Sequence, residues 1–332
     1  MTQCITRRDL VLMAISAASL LALPSAQAQT GPTGTTTIMV PYPAGGASDA
    51  IARIVNTPLG KELGQIVLVE NLGGVSGALG AQKVLGAAAN GQSIYQGSPN
   101  EVILAPLANA AVKFTSEDFQ LVQLICYAPI VVVARNDLPA NSIDELVTLA
   151  RQSSKTKPLT YGSVGVGSMY HVLAEHMAQT IQASMDHVPY KGGAPLLQDL
   201  AGSNVDFTFL PHFAAIDGMV ATGRVKILGQ VGATRAATLP KIPTFSEGKL
   251  IRDFNFSIWT GYMLKKGTPA DVVKRLQKAI QDTLAQPKVI ELLTAQSQIV
   301  AKPMTLEESA RFYAAETANY RRLAKAVGIT PQ

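Results

Sequence analysis

Short runs of apolar and β-branched residues alternate along the chain with stretches whose apolar positions recur every three to four residues. The short runs predict strands at 37–40, 66–70, 93–96, 130–134, 159–161, 187–189, 205–209, 226–230 and 257–263. The helical spacing predicts helices at 49–63, 77–88, 143–153, 169–180, 195–201 and 213–222, with a kink or early break at Pro58. This alternation argues for an α/β fold with mostly parallel sheets. The last third turns helical. Thr268-Pro269-Ala270-Asp271 sets a cap, a proline and an acid before Val273, Leu276, Ile280 and Leu284. Thr305-Leu306-Glu307-Glu308 is a capping box for a final helix that Gly328 ends. Two α/β lobes could lie in series or one inside the other; the pattern leaves both open.

The run Val40-Pro41-Tyr42-Pro43-Ala44-Gly45-Gly46-Ala47-Ser48-Asp49 joins the first strand to a helix on which Ile51, Ile54 and Val55 share a face. Ser48 and Asp49 are the expected caps. A helix opening presents unpaired N–H groups and the positive end of its dipole, which favours an anion. No catalytic base accompanies it, so the loop suggests recognition and not chemistry.

Residues 1–28 read as a secretory signal. Arg7 and Arg8 precede an apolar core from Leu10 to Leu23, which ends at Ala26-Gln27-Ala28, and Thr6-Arg7-Arg8-Asp9-Leu10 has a twin-arginine look. Cleavage would remove Arg7, Arg8 and Asp9 and lower the formal charge of +5 by one. The small excess suits an acidic ligand, and the scattered basic residues form no nucleic-acid footprint. Cys4 would leave with the signal, so Cys126 could form no intramolecular disulfide and is expected to be buried packing. The roughly 300 residues that remain make one large domain or two ordinary ones.

Glycine-rich turns recur where strands hand over to helices: Gly73 to Gly77, Gly97-Ser98-Pro99-Asn100 and Gly162 to Ser168. Each alone is a tight turn; together they point to a ligand site at strand C-terminal ends. Gly165-Val166-Gly167 lacks the third glycine of a dinucleotide loop, where Tyr170 stands, and no Gly-Lys-Ser/Thr phosphate loop occurs. No cofactor is expected. Ser163 fails the nucleophile-elbow pattern because Tyr161 replaces its first glycine. Ser168 reads as the cap of the helix that starts at Met169. His171 and His176 lie about 140° apart on a helix, so they do not face one metal. His171 sits in the first helical turn and could line a pocket or serve structure.

These motifs, with Val69-Glu70-Asn71, Thr115-Ser116-Glu117-Asp118-Phe119, Val188-Pro189-Tyr190-Lys191-Gly192, Gly202-Ser203-Asn204-Val205-Asp206, Arg235 with Leu239-Pro240, and Gly267-Thr268-Pro269, resemble in order the extracytoplasmic Bug receptors of tripartite tricarboxylate transporters. The resemblance spans essentially the whole mature chain. It implies a periplasmic binding protein fold, with two α/β lobes, a double crossover and a ligand cleft between them. Lobe 1 would hold 35–128 plus 253–332 and lobe 2 would hold 129–252. It nominates Tyr42, Gly45, Gly46, Ala47, Ser48, Ser98 and Asn100 from lobe 1. From lobe 2 it nominates Ser163, Gly165, Gly167, Ser168 and His171, with Lys191 a weaker candidate.

Two departures bear on the ligand. Relatives often carry an aspartate where Leu210 follows Phe209, and Arg-Pro-Gly where this chain has Leu72-Gly73-Gly74. Phe209, Leu210, Pro211, His212 and Phe213 suggest a more apolar, partly aromatic wall than a citrate-like ligand needs, although core packing accounts for the two phenylalanines equally well. The expectation is an exported, monomeric receptor that captures a small dicarboxylate, an aromatic one such as terephthalate, and delivers it to a membrane permease. A periplasmic serine hydrolase and a receptor that signals to a sensor protein are the alternatives.

Overall fold

The computed structural model describes residues 34–331. The expected signal and its cleavage site lie outside the described residues.

In chain order the strands are β1 (Thr35–Val40), β2 (Ile66–Asn71), β3 (Ser93–Gly97), β4 (Phe119–Ala128), β5 (Ile130–Arg135), β6 (Leu159–Ser163), β7 (Met185–Pro189), β8 (Phe207–Pro211), β9 (Val225–Gln230), β10 (Ile258–Lys265) and β11 (Ile299–Val300). The helices are α1 (Ala47–Leu63), α2 (Ala78–Gly86), α3 (Ala105–Ala108), α4 (Ile143–Ser153), α5 (Met169–Ile181), α6 (Gly193–Ala201), α7 (Ala214–Ala221), α8 (Ala270–Leu284), α9 (Pro287–Ala295) and α10 (Leu306–Ala326). Short one-turn helices add to these, among them Val75–Gly77 and the π-helical turn Asn100–Leu104.

Two sheets organise the lobes. One has the order β11-β4-β10-β3-β1-β2 and the other β7-β6-β8-β5-β9. The chain passes from the first sheet to the second at Pro129, between β4 and β5, and returns between β9 and β10. Both sheets are mixed, which corrects the expectation of mostly parallel pairing. β1 runs parallel to β2 and β3, but β10 runs antiparallel to β3 and β4. In the second sheet β6 is parallel to β7 and β8, while β5 is antiparallel to β8 and β9. A parallel neighbour in the same sheet needs a crossover from its predecessor, whereas β5 and β10 each enter their sheet from the other one.

The helix α1 continues through Pro58 without the expected break. Ile51, Val55, Leu59 and Leu63 are buried at four-residue spacing, and their packing outweighs one missing hydrogen bond. It ends at Gly64, whose left-handed φ of 62° no β-carbon hinders. The Thr305–Glu308 capping box opens α10, with Thr305 N–H donating to Glu308 at 2.7 Å and Glu308 N–H to Thr305 Oγ at 3.1 Å. Ahead of α8 the expected cap does not form. Thr268 donates instead to Lys265 O at 2.8 Å, and the helix starts at Ala270. Cys126 is buried, and burial pushes its thiol up to about 12, so it is packing.

Candidate functional site

The loop from Pro41 to Gly46 leaves β1, an inner strand of its sheet, at its C-terminal end. Asn71 donates to Tyr42 O at 3.0 Å and fixes the loop against β2. The N-cap of α1 is Gly46, not Ser48 or Asp49 as the sequence suggested. Asp49 reaches back instead, accepting Gly45 N–H and Arg53 Nε, each at 2.9 Å. Burial opposes ionisation of Asp49, but the bonds from Arg53, Gly45 and Asn71 outweigh it and hold the carboxyl below its usual value. The first bond closing the helix is Ala50 N–H to Gly46 O, so the N–H groups of Ala47 and Ser48 have no partner within α1. Gln96 from β3 donates to Ser48 O at 2.7 Å and Ser48 Oγ at 2.8 Å. A carbonyl only accepts, so this fixes the amide, and the buried Gln96 Oε1 is left without a partner.

Around the π-helical turn, Ser98 N–H donates to Glu101 at 2.6 Å and Ser98 Oγ to the other carboxylate oxygen at 3.1 Å. Asn100 bridges the lobes. Its Nδ2 donates to Tyr42 Oη at 3.3 Å, and its Oδ1 accepts Met169 N–H at 2.7 Å.

In the second lobe, Ser168 caps α5 as the sequence indicated, accepting His171 N–H at 3.4 Å. His171 Nδ1 accepts Gly167 N–H at 3.0 Å, which requires an unprotonated nitrogen there. Burial lowers the His171 pKa against the pull of Glu175. His171 stacks on His187 with ring centres 4.1 Å apart. Burial, then His171, pushes His187 down to about 3. The loop before Ser168 presses onto the first lobe: Ser76 donates to Val166 O at 2.7 Å. A β-carbon on Gly165 would lie 2.4 Å from Ser76 Oγ, and one on Gly167 2.0 Å from Ala108 Cβ.

Between the lobes lies a cleft of about 650 Å³, counted with its open mouth. Tyr42, Gly46, Ala47, Ser48, Ser98 and Asn100 line it from one lobe and Leu210 from the other, as nominated. Gly45, Ser163, Gly165, Gly167, Ser168, His171, Lys191 and Phe209 are not in its wall. Strand alternation explains the split between neighbours on β8. Phe209 points into an aromatic core and stacks on Phe245 and Phe254, while Leu210 faces Gly193 and the cleft. Pro211 and Phe213 also line the cleft, as expected of that wall, and the sequence reading missed Gln96, Glu101, Val164, Tyr170, Ile258, Thr260 and Gln298, which line it too. It also missed His187, whose Nε2 lies 2.7 Å from Ser163 Oγ. That hydroxyl is fully buried and donates to Gly165 O at 3.0 Å, so the pair braces the loop.

A two-lobed α/β chain with an anion-favouring helix start in its cleft has close relatives. The sequence profile of the tripartite tricarboxylate transporter family receptors matches residues 51–329. The chain belongs to this receptor family. It is 33% identical over 309 residues to the UPF0065 protein in the TAR-I ttuE-ttuC' intergenic region of Agrobacterium vitis, covering 91% of this chain and 86% of that protein. Identity to BugT of Bordetella pertussis is 28% over 284 residues, 83% of this chain and 85% of BugT. The periplasmic binding protein BugD superposes with a TM-score of 0.81 at 28% identity, covering 91% of this chain and all 100% of BugD. R. palustris Rpa4515 with adipate gives 0.84 at 27% identity, covering 91% and 99%. MatC from Rhodopseudomonas palustris with bound malate gives 0.81 at 26%, covering 88% and 99%. The chain is thus a solute-binding receptor of the tripartite tricarboxylate type and not an enzyme.

Proposed function

We propose that this receptor captures a small dicarboxylate in the inter-lobe cleft, and that the preferred ligand is aromatic, terephthalate or a near analogue. The observation that carries the reading is the cleft's division into two kinds of wall. The N–H groups of Ala47 and Ser48, with the Asn100 amide, offer donors and a helix dipole to one carboxylate. Leu210, Phe213 and Val164 of the other lobe, with Ile258 of the same lobe, supply apolar surface beside the rings of Tyr42 and Tyr170. Adipate on Rpa4515 and malate on MatC support the dicarboxylate class. The apolar wall favours a ring over a short aliphatic chain.

The lobes, 35–128 plus 253–332 and 129–252, close by bending at the two crossings. The loop from Gly162 to Ser168, with His171 and His187 behind it, forms the second jaw against Ser76 and Ala108. The mature protein, processed after Ala28, works as a monomer in the periplasm and hands its ligand to permease subunits of a tripartite tricarboxylate transporter. Thermal-shift screening with terephthalate, phthalate, adipate, citrate, succinate and glutamate tests the ligand class. Terephthalate is expected to raise Tm most; stabilisation by citrate or glutamate alone contradicts the aromatic assignment. Loss of terephthalate uptake on deletion would support delivery to a permease, and unchanged uptake would contradict it.

A further inference from the structure

Among the described residues that line the cleft, Glu101 is the only carboxyl group, and none is Lys, Arg or His. Its side chain is fully buried beneath Gly77, where an added β-carbon would lie 2.3 Å from Glu101 Cγ. Both carboxylate oxygens take bonds from Ser98, one from the N–H and one from the hydroxyl. The groups that face it are neutral: Tyr42 after β1, Tyr95 from β3 and Tyr170 from α5, each with its hydroxyl pushed up chiefly by burial. Lys83 of α2 is turned away to Glu70. On α10, Tyr313 bonds Ser116 O, Tyr320 bonds Ser257 O, and Glu316 accepts from Trp259 Nε1. The acid has hydrogen-bond donors but no counter-charge. Burial lifts it to about 7, and the bonds from Tyr42 and Ser98 offset only part of that.

A ligand carboxylate seated on the N–H groups of Ala47 and Ser48 would share the cleft with Glu101. Two anions so placed repel strongly, and the least costly relief is to neutralise the one that water can reprotonate. We propose that capture of a carboxylate in the cleft draws one proton from solvent onto Glu101, so that the receptor takes its ligand together with a proton. The proposal rests on the cleft being the carboxylate site. Linkage then runs both ways: ligand raises the proton affinity of Glu101, and protons raise the affinity for ligand. Above the range where free Glu101 is protonated, affinity falls by up to about tenfold per pH unit.

The test is titration calorimetry of the mature protein with terephthalate, and with adipate as a second probe, in phosphate and Tris across pH 7–9, where both ligands stay fully ionised. The two buffers differ in ionisation enthalpy, so their heats report the protons taken up. The expected result is uptake that rises from about half a proton per bound ligand at pH 7 towards one by pH 9, with affinity falling as pH rises. Glu101→Gln keeps an acceptor for Ser98 N–H and is expected to bind with no uptake and less than about twofold change across the range. Binding without uptake in the wild type, or equal uptake in Glu101→Gln, overturns the proposal. Should that variant fail to fold, infrared difference spectra of the wild type with carboxyl-13C ligand decide. A new unlabelled protonated-carboxyl band supports it, and none contradicts it. If no carboxylate binds at any pH, the reading of the cleft fails first, and that outcome is distinct from binding without a proton.

Discussion

Asn100 of the first lobe accepts the backbone N–H of Met169, the first residue of helix α5 in the second lobe, at 2.7 Å. The same side chain donates to Tyr42 Oη, so one amide joins the anion-favouring loop to the opposing helix start. On the proposed closure of the lobes, Asn100→Ala leaves the buried Met169 N–H unpaired only when the lobes meet. The expected result is unchanged urea stability without ligand and about fivefold weaker ligand binding, read by calorimetry. Equal affinity would show that the bridge contributes nothing to closure.

Gly167 carries a second demand of closure. Its φ is 74°, and a β-carbon would sit 2.0 Å from Ala108 Cβ across the lobe boundary. Gly167→Ala is therefore expected to hold the lobes apart. Small-angle scattering should show a larger radius with ligand present than the wild type gives, and affinity should fall more than about tenfold. Wild-type compaction in the variant would contradict this.

Phe209 and Leu210 are adjacent in sequence and separate in role. Phe209 is fully buried among Phe207, Phe245 and Phe254. Phe209→Ala should cost about 3–5 kcal/mol in denaturant unfolding. A stability loss below about 1 kcal/mol with large loss of affinity would place the ring in the ligand site after all.

His187 makes stability depend on acid. Its folded pKa of about 3 lies below the unfolded value near 6.5, so the unfolded chain binds the extra proton between them. Stability contributed by neutral His187 is present above about pH 6.5 and is lost as pH falls towards 3. Thermal melts across that window should show a Tm that declines with acid. His187→Asn should flatten the slope by up to one proton. An unchanged slope would assign the acid sensitivity to other groups.

The residues that announced the site in sequence are those whose local pattern is tied to a turn. The Pro41–Gly46 loop and the Ser98–Asn100 turn each carry a signature within a few positions. What escaped detection comes from long-range convergence. Gln96 and Thr260 reach the cleft from the neighbouring strands β3 and β10, and Gln298 comes from the segment just before β11. His187 meets Ser163 because β6 and β7 pair in parallel. Glu101, as an acid at a helix start, reads like an ordinary solvated dipole partner. The strand β4 is nearly continuous in apolar residues because both its faces are covered, so it lacks the alternation that marks a half-buried strand. The α/β class was legible from alternating elements, whereas antiparallel pairing depends on which lobe each strand enters.

In the proposed function, one cleft wall takes a carboxylate and the other an apolar ring. Titration calorimetry of terephthalate into the wild type and Leu210→Asp, run side by side at one pH, tests it most directly. The expected result is 1:1 binding by the wild type and loss of more than about a hundredfold in the variant, because the new carboxylate is buried against the ligand without a partner. Undiminished binding by Leu210→Asp, or no binding of terephthalate by the wild type, would contradict it.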